Sequence, residues 1–121
     1  LSYTSFSYSD IKLSSTNLKG NQVLTASVTV SNTGTSKGKE VVQLYIRDLV
    51  GSIARPVKEL KGFQKIELAA GESKTVSFSI TPNELKFYNS ELKYDWESGD
   101  FDIMIGSSSA DVKKASVNWV K

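Results

Sequence analysis

Apolar residues recur at every second position in five runs of this chain, a period that leaves little but β-structure open to it. In Leu24-Thr25-Ala26-Ser27-Val28-Thr29-Val30 the aliphatic side chains fall on one face and the hydroxyls on the other. Val42, Leu44 and Ile46 repeat the pattern, as do Val76, Phe78 and Ile80, then Phe101, Ile103 and Ile105, and finally Ala115, Val117 and Trp119. Antiparallel strands with one buried and one wet face read in this way. Turn signals separate them at Asn32-Thr33-Gly34, Ala70-Gly71-Glu72, Ser98-Gly99-Asp100 and Gly106-Ser107-Ser108.

About seven short strands at such spacings predict an all-β, immunoglobulin-like antiparallel sandwich of two sheets. One segment stands apart. Thr81-Pro82-Asn83-Glu84 has a capping residue, a proline at the first helical position and a glutamate able to reach back, which predicts one short helical turn near 82–88. Its apolar residues, Leu85, Phe87 and Tyr88, are expected to plug one end of the sandwich. The 121 residues suit a single domain spanning 1–121, large enough to bury a core without staples.

Composition narrows the chemistry. The chain has no cysteine and no histidine, which excludes disulfides, thiolate metal sites and any Ser-His or Cys-His pair. Its 15 basic and 13 acidic residues give a net charge of +2 without a basic run, so no nucleic-acid footprint is expected. No apolar stretch approaches the roughly 20 residues of a membrane span. The compartment stays open, with a periplasmic or secreted setting slightly favoured.

The least ordinary stretch is Arg55-Pro56-Val57-Lys58-Glu59-Leu60-Lys61-Gly62-Phe63, which follows the strand-like Glu40–Asp48. Proline lacks a donor and belongs at an edge, a strand start or a bulge, and Gly62 predicts a second irregularity. Together with Val28-Thr29-Val30-Ser31-Asn32-Thr33-Gly34, Gly38–Tyr45, Ala70-Gly71-Glu72, Leu85-Lys86-Phe87-Tyr88, Gly99-Asp100-Phe101 and Ile105–Asp111, it resembles the fibronectin type III-like domain that closes many family-3 glycoside hydrolases, the β-glucosidase and β-xylosidase group. The opening Leu1–Phe6 is similar to that family's entry into the domain.

The resemblance implies a non-catalytic accessory domain that stabilises and docks onto the catalytic domains of its parent enzyme, whose nucleophile and acid/base have no counterpart in this sequence. No catalytic, cofactor-binding or metal-binding residue and no cofactor are therefore expected. The resemblance also implies that the Arg55-Pro56-Val57 region faces the neighbouring catalytic domains. With Leu49 and Val50, whose apolar side chains suit either a docking face or a loop folded against its own core, these are the candidate docking residues. The alternative is a carbohydrate- or cell-surface-binding module in which Tyr94 and Trp96 share a face and stack on a polysaccharide. Asp95, Glu97, Asp100 and Asp102 are dense enough to suggest paired carboxylates, but they read better as a solvated acidic hairpin. Trp119, in phase with Val117, is assigned to the core.

Overall fold

The computed structural model describes residues 5–49, 58–88 and 91–121. Among the described residues there are eleven strands: β1 (Phe6–Tyr8), β2 (Lys12–Leu13), β3 (Asn17–Lys19), β4 (Leu24–Asn32), β5 (Gly38–Asp48), β6 (Glu59–Leu68), β7 (Ser73–Ile80), β8 (Phe87–Tyr88), β9 (Tyr94–Asp95), β10 (Gly99–Ser108) and β11 (Asp111–Val120). All five alternating runs lie inside strands, and they make two packed sheets.

In the four-stranded sheet β7 runs antiparallel along one side of β4, from Leu24↔Ile80 to Ser31↔Ser73. The other side of β4 is shared by β1 and β2. The five-stranded sheet has the order β3-β11-β10-β5-β6. One pair departs from the antiparallel expectation: β3 lies parallel to β11, Leu18 opposite Trp119. A three-residue edge strand carries too little pattern for its direction to be read from sequence.

The core forms where the two sheets face each other. Leu24, Ala26, Val28 and Val30 of β4 and Val76, Phe78 and Ile80 of β7 pack with Val42, Leu44, Ile46, Ile66, Leu68, Phe101, Ile103, Ile105, Val117 and Trp119. Burying each large aliphatic or aromatic side chain stabilises the fold by about 1.5–3 kcal/mol. Trp119 is fully buried, as its phase predicts, and its Nε1 donates to the Gly20 carbonyl at 3.0 Å.

Asn32 ties two turns to this core. Its buried Nδ2 donates to the carbonyls of Leu68 at 3.0 Å and Ser36 at 2.9 Å, and its Oδ1 accepts from the Gly34 N–H at 2.9 Å. The backbone N–H of Gly71 donates to the Asn32 carbonyl at 2.9 Å, so the β4–β5 and β6–β7 turns share one anchor. A buried amide with its donors and acceptor satisfied fixes geometry without a desolvation penalty.

The capping box is present. Thr81 Oγ1 accepts from the Asn83 N–H at 3.3 Å and Glu84 Oε1 accepts from the Thr81 N–H at 3.1 Å, with Pro82 and Leu85 buried. The turn is a 3-10 helix of four residues, Pro82–Leu85, shorter than the expected 82–88. Lys86 is already extended, and Phe87 and Tyr88 pair with Asp95 and Tyr94 as a small separate ribbon. Strained 3-10 geometry and aromatic strand preference both favour that early exit.

The irregularity expected near Gly62 is a bulge. Leu44 pairs with Gly62 and Tyr45 with Leu60, so Lys61 is the extra residue in β6. The turn expected at Gly106-Ser107-Ser108 lies further on. Those residues stay within β10, a second bulge falls between Gly106 and Ser108, and the chain reverses at Ser109 and Ala110. A bulge absorbs one residue, so the reversal moves past the glycine that announced it.

Candidate interaction face

Residues directly opposite one another in neighbouring strands project to the same side of a sheet. On β5 the residues Val42, Leu44 and Ile46 point to the core, so Val41, Gln43, Tyr45 and Arg47 point away from it. Register then extends the outer face across the sheet. One row runs Leu60, Tyr45, Met104, Lys114, the next Phe63, Gln43, Gly106, Val112, and a third Arg47, Asp102, Ser116.

This outer face does not resemble a solvated surface. Phe63 is 58 % exposed and Leu60 53 %, with Val41 exposed beside them and Leu49 exposed where β5 ends. Half of the eight large exposed hydrophobics among the described residues thus gather on its β5–β6 side, and Val120 at the end of β11 faces out of the same sheet. Met104 is buried although it lies outside the core cluster. Tyr45 donates its hydroxyl proton to Gln43 Oε1, and Gln43 Nε2 donates to the Ser107 carbonyl at 2.9 Å.

The polar row is built as tightly. Arg47 Nη2 donates to Asp102 Oδ2 at 2.7 Å, and Ser116 Oγ donates to Asp102 Oδ1 at 2.8 Å. Burial, the largest single influence on the Asp102 carboxyl, pushes its pKa up. The hydrogen bonds from Arg47 and Ser116, with the charges of Lys114 and Arg47, together outweigh it and hold the pKa below the ordinary value. The expectation of a solvated acidic hairpin is therefore wrong for Asp102, which is 2 % exposed. Alternation put it correctly on the face away from Phe101. The arginine that buries it lies 55 residues away and left no local signal.

The opposite outer face has another character. Thr25, Ser27, Thr29 and Ser31 of β4 stand opposite Ser79, Ser77, Thr75 and Ser73 of β7. The hydroxyls of Ser31 and Ser73 are 2.7 Å apart, those of Thr29 and Thr75 3.5 Å. This is a ladder of hydroxyls with no large apolar side chain on the outer side of β4 or β7. The two outer faces of one sandwich thus differ sharply in what they suit.

Of the docking residues read from sequence, Leu49 is 45 % exposed at the end of β5. Val50, Arg55, Pro56 and Val57 lie outside the described residues. The sequence reading missed Leu60 and Phe63 as exposed groups, because the bulge at Lys61 changes the phase of the strand between them. Tyr94 and Trp96 do not form a shared platform. Tyr94 is 56 % exposed, but Trp96 is 7 % exposed, edge-on to Trp119 at 6.2 Å between ring centroids, with Lys121 Nζ 5.4 Å above its ring. Strand β9 ends at Asp95, so the alternation linking the two rings stops between them. Lys121 Nζ and the Trp96 N–H both donate to Asp95 at 2.8 Å, the lysine bond being the main cause of its lowered pKa. Among the described residues no group of three or more His, Cys, Asp or Glu could hold a metal ion, and no helix is long and apolar enough to cross a membrane.

The family model of the fibronectin type III-like domain matches residues 40–109, more than half of the chain. The chain belongs to that family. The fibronectin type III-like domain described here is 52 % identical over 116 residues to a periplasmic β-glucosidase of Salmonella typhimurium, covering 96 % of this chain and 15 % of that protein. It is 47 % identical over 119 residues to a β-xylosidase of Formosa agariphila, with 97 % and 16 % covered. Among solved structures, a β-glucosidase from Erythrobacter marinus superposes with a TM-score of 0.91 at 39 % identity, covering 99 % of this chain and 16 % of that one. The domain therefore spans about one sixth of the length of the relatives it matches, and these are of the group the sequence resembles.

Proposed function

We propose that this domain is the non-catalytic accessory part of a β-glucosidase-type glycoside hydrolase of family 3, stabilising the catalytic domains and docking onto them. The observation that carries the reading is the coverage: 96–97 % of this chain aligns with only 15–16 % of glycosidases that are much longer. A module so completely contained in larger enzymes acts through what it touches, and an outer face bearing Leu60 and Phe63 suits protein contact. Catalysis then rests on carboxylates outside this domain. Removing the domain from the full-length polypeptide is expected to lower the melting temperature by about 5 °C or more and to reduce hydrolysis of aryl β-glucosides with it. Unchanged melting and unchanged turnover would refute the reading.

A second reading, contact with a polysaccharide, keeps one supporting observation. Asp95, the strand neighbour of the exposed Tyr94, lines a hollow with Asn21, Thr81, Asn83, Lys86 and Trp96, where side-chain amides and a lysine could meet sugar hydroxyls. On that reading Tyr94→Ala in the full-length enzyme slows hydrolysis of polymeric β-glucan or xylan while leaving small aryl glycosides unaffected. Equal rates on both substrate classes for variant and wild type would remove it.

A further inference from the structure

We infer that the outer face of the five-stranded sheet, centred on Leu60, Phe63 and Tyr45, is the surface that docks, and that its occupant is the remainder of the same polypeptide. The inference rests on the accessory reading above and adds the face. Three observations select it over every other side of the sandwich.

The first is apolar continuity. Leu60 and Phe63 lie on adjacent rows of β6, each beside a β5 partner, and Val41 and Leu49 extend the patch along and beyond β5. Scattered exposed hydrophobics are ordinary, but a contiguous set on one sheet face marks an interaction surface. The remaining exposed hydrophobics, Val23, Leu92, Tyr94 and Val120, share no strand pair with it.

The second is rigidity. The patch adjoins the Arg47–Asp102–Ser116 row and the buried Met104, so its backbone and neighbouring side chains hold their geometry before anything docks. Preorganised apolar anchors beside satisfied polar groups are what protein interfaces concentrate at their centres. The opposite face, a ladder of Ser and Thr hydroxyls, offers no such anchor.

The third concerns the occupant. The aligned relatives are more than six times the length of this chain, so a large body of polypeptide accompanies the domain wherever it occurs. Covalent linkage gives that body a high effective concentration, which a second copy of the chain lacks. Leu49, the one docking residue read from sequence that lies among the described residues, is exposed at one end of the same patch.

Thiol accessibility tests the assignment, because this chain contributes no native cysteine. Phe63→Cys and Ser77→Cys are made separately in the full-length polypeptide, with activity confirmed for each. Both positions are exposed in the domain, so labelling by a maleimide, followed by peptide mass spectrometry, reports on cover from outside it. Cys at 63 is expected to react at least about tenfold more slowly than Cys at 77. Equal rates, or protection of position 77 alone, would overturn the choice of face while leaving an accessory role intact. Protection at 63 that disappears when a dimer is diluted to monomer would assign the face to a second copy and overturn the choice of occupant. If removal of the whole domain changes neither melting nor turnover, the accessory reading fails, and this inference with it.

Discussion

Replacing Gly106 with alanine is expected to destabilise the domain by about 3 kcal/mol or more, among the largest effects of any single-methyl addition to this chain. A Cβ built at Gly106 would sit within 2.7 Å of the Val112 Cα and 2.9 Å of the Asp111 carbonyl carbon, and would overlap the Asp111 carbonyl oxygen. These are backbone atoms of the paired strand. No flexible side chain can swing aside, so the β10–β11 hairpin itself must open. The cause is the bulge between Gly106 and Ser108, which brings Asp111 and Val112 across the position a side chain would need. Gly62, beside the other bulge, is the control. Its Cβ would meet only the Phe78 ring, at 3.8 Å, which is ordinary contact. Gly62→Ala is therefore expected to stay within about 0.5 kcal/mol of wild type. Urea unfolding of both variants decides the matter, and a Gly106→Ala midpoint equal to that of Gly62→Ala would show that the close approach does not exist.

The contrast between these glycines shows what the sequence could and could not disclose. Long strands were legible because alternation is a local property: the period places Val28, Ile46, Phe78, Ile103 and Trp119 in the core, and all five are buried. The capping box was legible for the same reason, since Thr81, Pro82 and Glu84 act within one turn. Gly62 signalled an irregularity and Gly106 a turn, and both proved to lie beside bulges. One glycine has space around it and the other has a neighbouring strand pressed against it, and only the register between strands distinguishes them. The interaction face was half legible for a related reason. Leu49 could be read as an apolar loop residue out of place, whereas Leu60 and Phe63 sit in phase with the outer face only once the bulge at Lys61 is counted. Trp96 failed in the opposite sense. Its alternation with Tyr94 was real in the sequence, but the strand ends between them and the indole turns in against Trp119.

Asp102→Ala is expected to cost about 3 kcal/mol, because it leaves the Arg47 guanidinium on a crowded sheet face without its carboxylate. Arg47 Nε is already buried with no hydrogen-bond partner, so the group has little alternative pairing to turn to. Removing both charges should be far milder. Arg47→Met with Asp102→Leu replaces the pair by apolar volume, and the double variant is expected to recover most of the loss, since the desolvation of both ions disappears with them. Acid supplies an independent check with a definite sign. The folded-state pKa of Asp102 lies below its ordinary value of about 3.9, so the native state holds this carboxylate deprotonated more firmly than the unfolded chain does. The stabilisation is complete above that ordinary value and is lost as pH falls through the lower folded pKa. Wild type should therefore lose stability between neutral pH and pH 3 and below more steeply than Asp102→Asn, in which the titrating group is gone. Parallel acid profiles for the two proteins, measured by urea midpoints at each pH, would mean that the Arg47–Asp102–Ser116 row does not hold this face together. The geometry instead predicts that Arg47 and Ser116, the two side chains that hold the buried Asp102 carboxylate on an outward-facing strand, also help keep the adjoining patch of Leu60 and Phe63 in place for whatever covers it.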